Sequence, residues 1–155
     1  MEIIAHNKLS TEQTAKVLAL WNNEYPESLI HRSINGFENY LSTQDDPCHY
    51  LLLDDKQELL AHAVTFTRDL EKWFSLMVNE AYHHQRMGTI MLNAIKLRNP
   101  KLNGWVIDHE KSTKQNGTAY KTPLPFYLKN DFTVIPGVRL ENEVISAVKI
   151  VWEVG

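Results

Sequence analysis

Three apolar or alternating runs crowd the middle of the chain: HYLLLDD from His49, LLAHAVTFTRD from Leu59 and EKWFSLMVNE from Glu71. Only DDKQE and Arg68-Asp-Leu-Glu separate them. Spacers of that length suit strands that fold back on one another, so the runs read as an antiparallel meander. A sheet at the centre obliges the flanking segments to cover it.

Those segments carry helical patterns. Residues 2 to 6 (EIIAH) form a short strand candidate. LSTEQTAKVLALWNNEY then offers Ser10 or Thr11 as an N-cap, with Val17, Leu18, Trp21 and Tyr25 on one stripe. This predicts a helix from about Thr11 to Glu24, closed by Pro26, and a second, shorter helix lies between Ser33 and Asp45. After the meander, a helix starting near Gly88 places Ile90, Met91, Ala94, Ile95 and Leu97 near one face, with Lys96 and Arg98 in its last turn. WVIDHE (105 to 110) reads as a strand, and KSTKQNGTAYKT as a loop long enough to be functional. A short helix can start at Pro123 or Pro125, and FTVI and VISAVKIVWEV supply two more strands. The order is βα(α)βββαβαββ, a mixed α/β (α+β) sheet, and the 155 residues suit a single domain over 1 to 155.

Composition narrows the function classes. Apolar residues at 43% and charged residues at 23% are ordinary for a folded soluble protein, and no run is long enough to span a bilayer. MEIIAHNKLSTEQ lacks the pattern of a secretion signal. The single cysteine, Cys48, excludes an intramolecular disulfide and any multi-cysteine metal centre, which fits a reducing cytoplasm. A formal charge of −3 has the wrong sign for a nucleic-acid binder.

The most informative stretch is HHQRMGTIM, 83 to 91. A strand, a polar loop and a helix start together aim unpaired N–H groups and a positive dipole end at one point. A glycine there lets an anion approach the amides, and Arg86 adds charge; both features suit a pyrophosphate. A plain helix start would carry the same features.

Gln85-Arg-Met-Gly88-Thr-Ile90 resembles the Q/R-x-x-G-x-G/A signature of the GNAT N-acetyltransferase superfamily, and Phe126-Tyr-Leu-Lys-Asn-Asp-Phe132 resembles that family's downstream FY-x-x-x-GF element. The motifs occur in the family's order on the expected elements, and the likeness covers essentially the whole chain. It implies acetyl-coenzyme A as cosubstrate, held at Gln85, Arg86, Met87, Gly88 and Thr89, with backbone near Val78 polarising the thioester carbonyl. It also implies an amine acceptor, of a small molecule or of a peptide or protein. Two residues depart from the pattern. Ile90 stands where Gly or Ala is usual, either crowding the cofactor or leaning into the core. Asp131 replaces the glycine of GF, and Asp tolerates a left-handed backbone.

By the same resemblance Tyr127 is the general acid that reprotonates the departing thiolate; its other reading is a core aromatic beside Phe126 and Phe132. For the base, alternation along the fifth strand sends Val106, Asp108 and Glu110 to one face. The resemblance implies a cleft where the fourth and fifth strands part, which Glu110 at the strand's end would face. A water chain is the alternative. Neither Asp108-His-Glu110 nor His83-His84 has metal-ligand spacing. The alternative functions are a catalytically inactive module of the same fold that binds an acyl-coenzyme A or another ligand, and an interaction protein that binds no coenzyme A. The apolar last strand could pair two copies as a homodimer if it lies at a sheet edge.

Overall fold

The computed structural model describes residues 1–155. The order is β1 (Glu2–His6), α1 (Thr11–Glu24), α2 (Ile34–Ser42), β2 (Asp45–Leu53), β3 (Leu59–Arg68), β4 (Glu71–Val78), α3 (Met87–Lys96), β5 (Lys101–Ile107), α4 (Leu124–Lys129), β6 (Thr133–Glu141) and β7 (Ser146–Glu153). The strands form one sheet in the order β1-β2-β3-β4-β5-β7-β6, antiparallel everywhere except between β4 and β5. This is the expected mixed sheet, with the meander at its centre. No helix is long and apolar enough to cross a membrane.

Helix α1 begins and ends where its sequence signals lie. Ser10 Oγ accepts the Gln13 N–H at 3.1 Å while Gln13 Oε1 accepts the Ser10 N–H at 2.9 Å, a reciprocal cap that satisfies two donors of the first turn. Tyr25 turns extended ahead of Pro26 and stops the helix. Helices α1 and α2 cover one face of the sheet, burying Val17, Leu20 and Phe37 against Leu51, Leu53 and Met77. Helices α3 and α4 cover the other with Met87, Met91, Leu92, Ile95 and Tyr127 against Tyr50, Leu52, Ala61, Ala63 and Phe74.

Several expectations need correction. The buried face of α3 is Met87, Met91, Leu92 and Ile95, and both Ile90 and Leu97 turn outward. Strand β5 runs from Lys101 to Ile107 rather than over 105 to 110. Asn103 and Gly104 are poor strand formers on their own, but every residue of β5 has a partner on β7. Gly104 is further required by packing, since a Cβ there would lie 2.8 Å from the Phe74 ring. Strand β6 extends well beyond FTVI through an irregularity between Val134 and Arg139 that contains the left-handed Gly137. The last strand is not an edge: β7 lies between β5 and β6, so it has no open side on which to pair with a second copy.

Candidate active site

Strands β4 and β5 share a single pair, Trp73 with Asn103, and part beyond it. The register with β3 determines what that parting exposes. Asn79 N–H bonds Leu60 O at 2.9 Å across the β3–β4 ladder, so pairs of that parity are the hydrogen-bonded ones. Leu76 and Val78 have the opposite parity and turn their N–H and C=O groups away from β3, toward a side where no strand follows. One of these groups has found a partner: Val78 O lies 2.8 Å from His83 Nε2.

The parting opens a cleft of about 490 Å³ on the α1/α2 side, whose walls include Trp21, Tyr25, Phe66, Trp73, Trp105 and Tyr127. Tyr127 comes from α4, where it packs against Phe74, Phe126 and Phe132 with ring centroids 5.8, 5.1 and 5.4 Å away. The ring therefore packs in the core, as the second reading of Tyr127 has it, and the residue also lines the cleft. Its phenol makes no hydrogen bond within the protein, and burial holds its pKa well above the ordinary phenol value, with nearby Tyr120 adding to the effect. Tyr120, also in the wall, is pushed up to about 12 by burial and by the charge of Glu24.

Across the sheet, the loop 79–86 leads into α3. His84 and Arg86 are left-handed (φ 67° and 65°), and Arg86 occupies the N-cap position without a side-chain cap. The bond from Ile90 N–H to Arg86 O (3.0 Å) is the first of the helix, leaving the amides of Met87, Gly88 and Thr89 ahead of the ladder. Gln85 and Arg86 are exposed beside them, while the side chain of Met87 is in the core. Gly88 has a reason the sequence did not reveal. A Cβ on it would lie 2.7 Å from Phe126 Cζ, so the missing side chain admits a ring. Ile90 faces outward on the first turn, which decides between the two placements open to it. Asp131 is left-handed (φ 69°), as a residue replacing that glycine must be.

Solved structures share this fold. An aminoglycoside 6'-N-acetyltransferase complexed with coenzyme A superposes with a TM-score of 0.72 at 13% identity, over 99% of this chain and 97% of that one. An acetyltransferase of the GNAT family from Staphylococcus aureus gives 0.66 at 13% identity, over 99% and 100%. The aminoglycoside 6'-N-acetyltransferase from Enterococcus faecium gives 0.67 at 14%, over 99% and 97%. The chain has the GNAT fold. No family profile matches the sequence, and neither does any curated protein.

Within the GNAT fold the expected base lies elsewhere than alternation placed it. Strand β5 stops at Ile107, so Asp108, His109 and Glu110 diverge on the following loop. Asp108 is clamped by Arg139 (2.8 and 3.0 Å), whose guanidinium holds its carboxyl below the usual range. His109 Nδ1 accepts the Lys111 N–H, and Glu110 is exposed with no hydrogen-bond partner in the protein.

A partly buried ionic cluster beside the cleft escaped sequence reading altogether. The Glu24 carboxylate accepts from Asn23 Nδ2 and from the Glu80 N–H, both at 2.9 Å, and lies 3.6 Å from Lys114 Nζ and 3.7 Å from His83 Nε2. Lys114 in turn bonds Glu80 at 3.0 Å. The cluster ties the end of α1, the loop before α3 and the loop 111–122 to one another. Glu24 looks like a last-turn surface residue and Lys114 like a loop lysine, and no local pattern marks either as buried.

Proposed function

We propose that this chain is an acetyl-coenzyme A-dependent N-acetyltransferase that modifies a primary amine of a small molecule or a peptide, working in a reducing compartment such as the cytoplasm. The observation that carries the reading is the position of Tyr127, whose ring lines a cleft opened where β4 and β5 part. The residues fit the cosubstrate. The amides of Met87, Gly88 and Thr89, with Gln85 and Arg86 beside them, suit its diphosphate. The backbone of Leu76 and Val78 that turns away from β3 suits its amide-bearing arm.

Bound acetyl-coenzyme A supplies an acyl group already activated as a thioester. Tyr127 supplies the proton for the departing sulfur, and its raised pKa keeps that proton in place at neutral pH. Glu110 is exposed beyond the strand, so it receives the acceptor's proton through water rather than by direct contact. His83 draws Val78 O into a hydrogen bond and must release it if the arm of the cosubstrate is to use that carbonyl.

A second reading, an acyl-coenzyme A binder without turnover, rests on the two departures from the signature, Ile90 and Asp131. Calorimetric titration with coenzyme A and with acetyl-coenzyme A, followed by thiol release in an amine screen, separates the two. The enzyme reading expects binding and turnover, with turnover reduced in Tyr127→Phe. Binding without turnover across the screen would leave the silent binder, and absence of binding would sink both.

A further inference from the structure

The charge of the cleft points to the acceptor, on the footing that the site is an acetyltransferase site. Its lining includes no aspartate or glutamate, and Arg68 is its one lysine or arginine. Arg68 ends β3, exposed, with its guanidinium 5.1 Å from the Phe66 ring and 5.3 Å from the Trp73 ring. It has no carboxylate partner. Of the nearby acids, Asp46 bonds Lys72 at 3.3 Å and Glu71 bonds Lys101 at 2.8 Å, and neither Asp45 nor Asp69 pairs with Arg68. Lys149 approaches Trp73 from β7, with Nζ 5.4 Å from the ring, so cations flank this end of the cleft. Polycationic amines require carboxylates to replace their hydration, and these walls offer none.

The geometry points to an acceptor in which a flat aromatic body joins a primary amine at one end to a carboxylate at the other. The aromatic walls take the body. The planar fork of Arg68, beside the Phe66 and Trp73 rings and without a carboxylate partner, takes the carboxylate at the mouth. Spacing separates the two ends. Arg68 reaches the level of Trp73, whereas the backbone freed by the parting strands starts near Leu76, roughly 7–10 Å farther along β4 at about 3.3 Å per residue. An α-amino acid, with both groups on one carbon, cannot serve both ends at once.

Calorimetric titration of the intact protein, alone and with saturating coenzyme A, should compare 4-(aminomethyl)benzoate, benzylamine and spermidine. The carboxylated amine should bind about tenfold more tightly than benzylamine, the size of one charge-assisted contact at a partly exposed site. That preference should fall to near unity in Arg68→Gln and be partly retained in Arg68→Lys. Equal or tighter binding of benzylamine or spermidine, a preference that survives Arg68→Gln, or no binding of the carboxylated amine at millimolar concentration would each overturn the assignment. Thiol release is measured separately. Arg68-dependent binding without coenzyme A affinity would keep the acceptor class and remove the acetyltransferase, whereas turnover indifferent to the carboxylate would do the reverse.

Discussion

His49 Nδ1 and His62 Nε2 lie 3.0 Å apart in the closed interior between β2 and β3. The second nitrogen of His62, Nδ1, is buried without a partner. A bare lone pair is cheaper to bury unpaired than an N–H, so His62 donates from Nε2 and His49 accepts. Both rings are neutral, with burial lowering His49 to about 4 and His62 to about 3, and His6 and His49 respectively adding repulsion. The unfolded chain takes up these protons near pH 6.5 and the folded chain does not, so stability is lost as pH falls from about 6.5 toward 4. Melting temperature should drop over that range in wild type. The double variant His49→Leu/His62→Leu should flatten the slope, and an unchanged slope would show that other groups set it.

The contact between Gly88 and Phe126 predicts a repairable defect. Gly88→Ala drives a methyl into the Phe126 ring and should cost about 1–3 kcal/mol by overpacking, read from urea midpoints. Trimming the ring with Phe126→Leu in the same chain should recover part of the loss. If the two substitutions simply add, the contact is not what requires glycine.

Tyr127→Phe keeps the packing and removes the proton. Thiol release should fall by about 10²-fold while coenzyme A affinity changes little. The raised pKa carries a second expectation, because the phenol keeps its proton well past its ordinary value. The alkaline limb of the wild-type rate profile should therefore show no loss below pH 10 that Tyr127→Phe abolishes.

Lys114→Met leaves the buried Glu24 carboxylate with its hydrogen bonds to Asn23 and Glu80 but without its nearest cation. A destabilisation of about 1–3 kcal/mol is expected, with faster proteolysis within 111–122. Glu24→Gln in the same chain should restore part of the stability. Full stability of Lys114→Met alone would mean that water already screens the carboxylate.

Local chemistry made much of this architecture readable. The Ser10–Gln13 cap and Pro26 bound α1, and short polar spacers imposed the meander. Misreadings fell where a distant partner decides. Asn103 and Gly104 are strand residues because β7 pairs with them and Phe74 lies over Gly104. β7 is interior because β6, reached by the intervening turn, folds back outside it. In the candidate site, Gly88 was visible as a glycine but Phe126 was not visible as its reason. Glu24 and Lys114 look solvated until three segments meet around them.

Phe126 and Tyr127 are consecutive residues on a helix only six residues long, Leu124–Lys129. One ring plugs the gap at Gly88 and the next lines the cleft. So short a helix moves as one piece, like a rocker whose two arms are adjacent side chains. A displacement of Phe126 at the start of α3 would therefore reach Tyr127 through this one helix. In the proposed mechanism, the end that takes the diphosphate and the end that gives the proton thus share one short helix.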